Sequence, residues 1–141
     1  MTMFQILILE WINICKQFIK DYQSQHKWSE EQCLYLMWKG IMSTKYLNLF
    51  LLEKYIEKLP KLNSGSKTNI CVMMSCNPAL TMEIVLIYPE LQWNYSCVSK
   101  YMNINDILDH PELKWDWKYV SQNRSVTMDI VLSNIDKPWD L

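Results

Sequence analysis

Residues 103–123 read Asn-Ile-Asn-Asp-Ile-Leu-Asp-His-Pro-Glu-Leu-Lys-Trp-Asp-Trp-Lys-Tyr-Val-Ser-Gln-Asn. They are one copy of a unit that recurs on either side, and self-similarity at a fixed period is the signature of a repeat architecture. The stretch from Ser75 to Tyr95 aligns without a gap on that from Ser121 to Leu141. Thr81-Met82-Glu83-Ile84-Val85-Leu86 then lies over Thr127-Met128-Asp129-Ile130-Val131-Leu132, Asn77 over Asn123 and Trp93 over Trp139. The central copy, Ser99 to Trp117, fits after two single-residue deletions. Its Asn105 takes the Thr81 column, Asp106-Ile107-Leu108 the Glu83-Ile84-Val85 column and Trp115 the Trp93 column. The tryptophans stand 22 and 24 residues apart, room for two short helices and two turns.

Each column has a physical reason. Thr81, Asn105 and Thr127 are N-cap types, whose side-chain oxygen accepts a backbone N–H of the first turn. An acidic residue follows within two positions (Glu83, Asp106, Asp129), where the helix dipole favours negative charge. Leu80 with Val85 and Val126 with Val131 have the spacing of a hydrophobic staple; in this register the central copy offers Asp109 and its staple fails. Prolines 89, 111 and 138 mark the exits. A second helix starts after each tryptophan, with Asn94 or Asp116 as cap and Val98 or Val120 as staple partner. The expected repeat core is therefore Trp93, Trp115, Trp139, Ile84, Ile107, Ile130, Val98 and Val120. Tyr95 and Trp117, sharing a column beside the core tryptophans, are the candidate interaction anchors, with buried packing as the other reading of both. Helices this short are marginal alone in water, so such units persist only by stacking.

The motifs Asn-Pro-x-Leu-Thr-x-Glu-Ile-Val at 77–85, His-Pro-Glu-Leu-Lys-Trp-Asp-Trp at 110–117 and Asp-Lys-Pro-Trp-Asp at 136–140 resemble the tandem Asn-Pro/Trp-Asp helical repeats in proteins of large nucleocytoplasmic DNA viruses (giant viruses). The resemblance covers residues 70–141, about half the chain. Met82 and Met128 depart from it where tryptophan is frequent, and Arg124 stands in place of the usual proline. It implies a viral origin and a helical-repeat fold, hence a place in the host-cell cytoplasm (the virus factory) or the virion.

The N-terminal half is also helical in pattern. Phe4, Leu7, Ile8, Trp11, Ile12, Cys15, Phe18, Ile19 and Tyr22 recur at spacings of three and four, one apolar stripe expected to pack on the domain. Glu10, Lys16, Lys20 and Asp21 break it up well short of a membrane span, and no signal-peptide pattern is present. Ser29-Glu30-Glu31-Gln32 is a capping box opening a helix that runs to Gly40, a C′ residue. A third helix runs from about Thr44 to Leu59 and stops at Pro60. Asn63 to Lys67 is the one linker-like run, dividing a helical extension, 1–62, from a repeat region, 69–141, of about three units with the last incomplete. Residues 44–74 suit a degenerate first unit, terminal repeats being atypical.

Chemistry is harder to place. Two glycines in 141 residues, against a usual ~7%, leave no phosphate-cradling loop. The cysteines at 15, 33, 71, 76 and 97 are an odd number without metal-ligand spacing; in apolar surroundings they read as free, buried thiols of a reducing compartment. His26 lies in a polar turn and His110 at a helix end. Neither is set beside a nucleophile. Residues 1–74 carry nine Lys and six carboxylates, net +3, and residues 75–141 five Lys or Arg and nine carboxylates, net −4. The aromatic copies are thus the acidic half, the wrong sign for a base-stacking groove, and the opposite halves suit head-to-tail self-association. The expectation is an all-α protein, N-terminal helices followed by two-helix repeats stacked as an α-solenoid. Its expected function is non-enzymatic: a protein–protein interaction or scaffold module with a viral or host protein partner and no cofactor, metal, membrane or nucleic acid. The alternatives are a hydrolase or transferase with an unrecognised pocket and a nucleic-acid binder.

Overall fold

A computed structural model describes residues 1–57 and 62–140. Among them the chain is all-α, with nine helices and no strand. It divides into two compact units, Met1–Ile70 and Cys71–Leu141.

In the N-terminal unit α1 spans Met3–His26. It opens on a capping box: Thr2 Oγ1 accepts from Gln5 N–H at 3.2 Å and Thr2 N–H donates to Gln5 Oε1 at 2.8 Å, which satisfies two end groups reciprocally. Lys27, left-handed at φ 54°, ends it and donates its N–H to Gln23 O. His26 is the last helical residue and stacks on Tyr22 at 3.9 Å between ring centroids, so it belongs to the helix and not to a polar turn. The second helix, α2, spans Glu30–Met42. Its expected capping box is present, with Gln32 N–H on Ser29 Oγ at 3.1 Å and Ser29 N–H on Gln32 Oε1 at 2.9 Å. The helix continues through Gly40, where its last turn buries Ile41 and Met42.

The expected third helix begins later than Thr44. Asn48 Oδ1 accepts from Leu51 N–H at 3.0 Å and opens α3, Leu49–Ile56; the expected stop at Pro60 falls outside the described residues. Trp38 and Tyr55 meet at 5.4 Å between centroids, and they, Leu51, Leu52 and Met42 are all nearly inaccessible. The linker-like run at 63–67 is helical instead: α4 spans Ser64–Ser75, Asn63 Oδ1 accepts from Ser66 N–H at 2.8 Å, and Asn63 N–H donates to Glu31 Oε1 at 2.8 Å. An Asn or Ser run caps a helix as readily as it makes a loop, and the bond to Glu31 decides between them.

The C-terminal unit continues with α5 (Met82–Ile87), α6 (Tyr95–Tyr101), α7 (Ile104–Asp109), α8 (Trp117–Val120) and α9 (Met128–Ser133). Thr81, Asn94 and Thr127 cap α5, α6 and α9 as expected. The cap of α7 is Asn103, whose Oδ1 accepts from Asn105 N–H at 2.9 Å; Asn105 itself lies inside the helix. This shifts the central register by two residues. Met102 and Ile107 then occupy the staple positions and both are buried, so the central copy keeps its staple. Asp116, expected to cap α8, makes no side-chain cap bond; its Oδ2 accepts from Ser96 Oγ at 2.9 Å. Pro89 and Pro111 directly follow the ends of α5 and α7, whereas Pro138 lies four residues beyond Asn134, the C-cap of α9, against Trp139.

Candidate interaction surfaces

Three bonds recur at equal positions. Trp93 Nε1 donates to Tyr88 O at 2.9 Å, Trp115 Nε1 to His110 O at 2.7 Å and Trp139 Nε1 to Asn134 O at 2.8 Å. Each indole is thereby tied to the C-cap carbonyl of the helix before it, an end group that needs a partner. The following residue reaches back one segment: Asn94 N–H donates to Ser75 Oγ, Asp116 N–H to Ser99 Oγ and Asp140 N–H to Ser121 Oγ, at 2.8–2.9 Å. Ser75 and Ser121 pass their own hydroxyl protons to the carbonyls of Cys71 and Trp117. Asn123 fastens the last turn, donating from Nδ2 to Ser99 O and Met102 O and accepting from Ser125 N–H. The serines head each aligned stretch, yet nothing in a serine column alone marks it as the acceptor of the next segment's backbone.

The expected core residues divide. Trp93, Trp115, Ile84, Ile107, Val98 and Val120 are buried, while Ile130 and Trp139 are half-buried. With α7 capped at Asn103, Ile107 shares its position with Val85 and Val131, both buried, and not with Ile84 and Ile130. Tyr95 and Trp117 are half-buried. Each stands edge-on against the next segment's indole, Tyr95 on Trp115 at 5.7 Å and Trp117 on Trp139 at 5.1 Å, a favoured aromatic geometry. Burial pushes the Tyr95 phenol above its ordinary pKa.

Two apolar surfaces stand open. On the C-terminal unit Leu86 and Leu132 are exposed and Leu108, at the same position of α7, is half-exposed; Met128 at the start of α9 and Ile135 beyond its end are exposed too. On the N-terminal unit α1 packs on α2, and only Ile8 and Ile12 of α1 are fully buried. The single stripe expected to pack on the domain therefore splits, and Phe4, Leu7, Trp11 and Phe18, with Ile14, remain exposed. Between the helices runs an apolar groove of about 530 Å³, lined among others by Trp11, Ile14 and Phe18 of α1 and Leu36, Met37 and Gly40 of α2. Cys15 also lines it, its thiol pKa raised by burial.

Cys76 and Cys97 form a disulfide, which corrects the expectation of five free thiols. Their Cα atoms are 5.0 Å apart, within the range a disulfide spans; the fold brings the turn after α4 to α6, and a separation of 21 residues in sequence gives no hint of it. Cys15, Cys33 and Cys71 are free. His110 Nδ1 lies 3.1 Å from Glu112 Oε1; a bond from its own backbone N–H, then His110, holds that carboxyl below its usual range. No three His, Cys, Asp or Glu among the described residues converge on a metal-sized site. No described helix is long and apolar enough to cross a membrane. The chain matches no protein-family model, no curated protein and no solved structure.

Proposed function

We propose that the chain is a non-enzymatic helical-repeat protein, an α-solenoid extended by N-terminal helices, that serves as a protein–protein interaction or scaffold module. The giant-virus resemblance sets that work in an infected cell, at the virus factory or in the virion. One observation carries the reading: Leu86, Leu108 and Leu132 stand at the same position after the cap in each segment, exposed in the first and last and half-exposed in the second, and Met128 and Ile135 are exposed as well. Helices of four to seven residues cannot stand alone, and the serine bonds tie α4 to the cap of α6 and α6 to the cap of α8. A stack of that kind offers an extended, regularly spaced face, the surface solenoids use for partners.

Affinity capture from infected cells, read by mass spectrometry, tests it with the natural chain beside a Leu86→Glu/Leu132→Glu variant. Both leucines are exposed, so the variant keeps its fold. The expected result is a defined set of proteins held by the natural chain and lost by the variant. An identical set from both, or none from either, overturns the proposal.

A further inference from the structure

We infer that the open face of the N-terminal unit is a self-pairing surface, occupied by the same face of a second copy of this chain. Phe4, Leu7, Trp11, Ile14 and Phe18 step by three, four, three and four residues. That is the a/d spacing of a helix seam made for another helix, and it differs from the buried line of Ile8 and Ile12. All five are between 39% and 69% exposed. Taking full side-chain areas of ~150–250 Å², they and Leu36 leave on the order of 600 Å² of apolar surface open. That reaches the top of the ~300–600 Å² seen on monomers and approaches the ~800 Å² each partner gives a standard interface.

Gly40 says what kind of object fills the groove. It sits inside α2 and lines the groove, where a glycine weakens a helix relative to alanine. A Cβ built there meets nothing within 4 Å in the chain itself, so no internal contact calls for glycine. The space it leaves is open to the close approach of a helix from outside. Charge supplies the mate: by helical period the exposed Glu10 and Asp21 edge the seam on the α1 side, and the exposed Lys39 edges it on the α2 side. A two-fold axis running along α1 sets Glu10 of one copy over Lys39 of the other, as an isologous interface requires.

Sedimentation of the full chain across the micromolar range tests this, with Ile14→Glu/Phe18→Glu and Gly40→Ala variants alongside. The natural chain should shift from one to two times 17.0 kDa with concentration, and Cys15 alkylation should slow in step. The double variant, changed only at exposed positions, should stay monomeric, with a melt matching that of the natural chain at concentrations where the natural chain is itself a monomer. Gly40→Ala should melt no lower than the natural chain yet dissociate roughly ten-fold more readily. A chain that is monomeric throughout overturns the inference, whether or not its face captures another protein or a phospholipid vesicle. So does a dimer untouched by Ile14→Glu/Phe18→Glu. Neither outcome bears on the leucine strip of the C-terminal unit, so the two proposals fail separately.

Discussion

Ser99 shows how much a single hydroxyl is asked to do. It is fully buried and accepts the N–H of Asp116 from the next segment. Ser99→Ala strands that N–H, and an unsatisfied buried donor costs ~1–3 kcal/mol; urea unfolding should show the loss as a lower midpoint at unchanged slope. Trp115→Ala removes the indole against which Tyr95 stands and the bond to His110 O. Large core truncations of this kind cost ~3–5 kcal/mol, a large share of a domain's total ~5–15, so the same measurement should show little or no folded baseline. Cys71 carries a pH signature. Burial raises its thiol pKa, against a smaller opposing bond from the Gln92 backbone. The folded state thus holds that proton more tightly: the contribution is complete below the unfolded thiol's pKa and is lost as pH rises through the folded value. Stability should fall on the alkaline side, and Cys71→Ala should flatten that fall.

Among the elements, α7 decides between two registers. If Asn103 is its cap, Asn103→Ala costs ~1 kcal/mol while Asn105→Ala, on an exposed helical position, costs little; the reverse ranking in thermal melts defeats the register described. The difference also shows what the sequence could and could not yield. Thr81 and Thr127 were legible because threonine followed by Met-acid-Ile-Val-Leu leaves one cap candidate. Around Asn103 two asparagines compete, and the bond from Asn105 N–H to Asn103 Oδ1, with the burial of Met102 and Ile107, chooses. The capping box at Ser29 was readable from four residues because both its bonds are local. Helix α4 was not, because Asn63 is fastened to Glu31, 32 residues away. For α1 the period was plain, but a helical period reports that a stripe is apolar and not which part of it a neighbour covers.

At the scale of the whole molecule, long-range connections were the least visible, and the Cys76–Cys97 disulfide is the plainest case. Alkylation of the denatured, unreduced chain should modify three of its five cysteines, and all five after reduction. Five before reduction removes the pair. Reduction should also lower stability by about 3 kcal/mol, as the loss of a cross-link closing a loop of this size does. The serine bonds connect the same region by another route, with one constraint on length. Thr81 to Trp93, Asn103 to Trp115 and Thr127 to Trp139 are each twelve residues, whereas Ser75 to Thr81, Ser99 to Asn103 and Ser121 to Thr127 are six, four and six. The span from cap to indole is a ruler, since the indole must land on a C-cap carbonyl; the bend between serine and cap comes in two lengths, each fastened by bonds of its own. One residue inserted between cap and indole should therefore throw every downstream contact out of step.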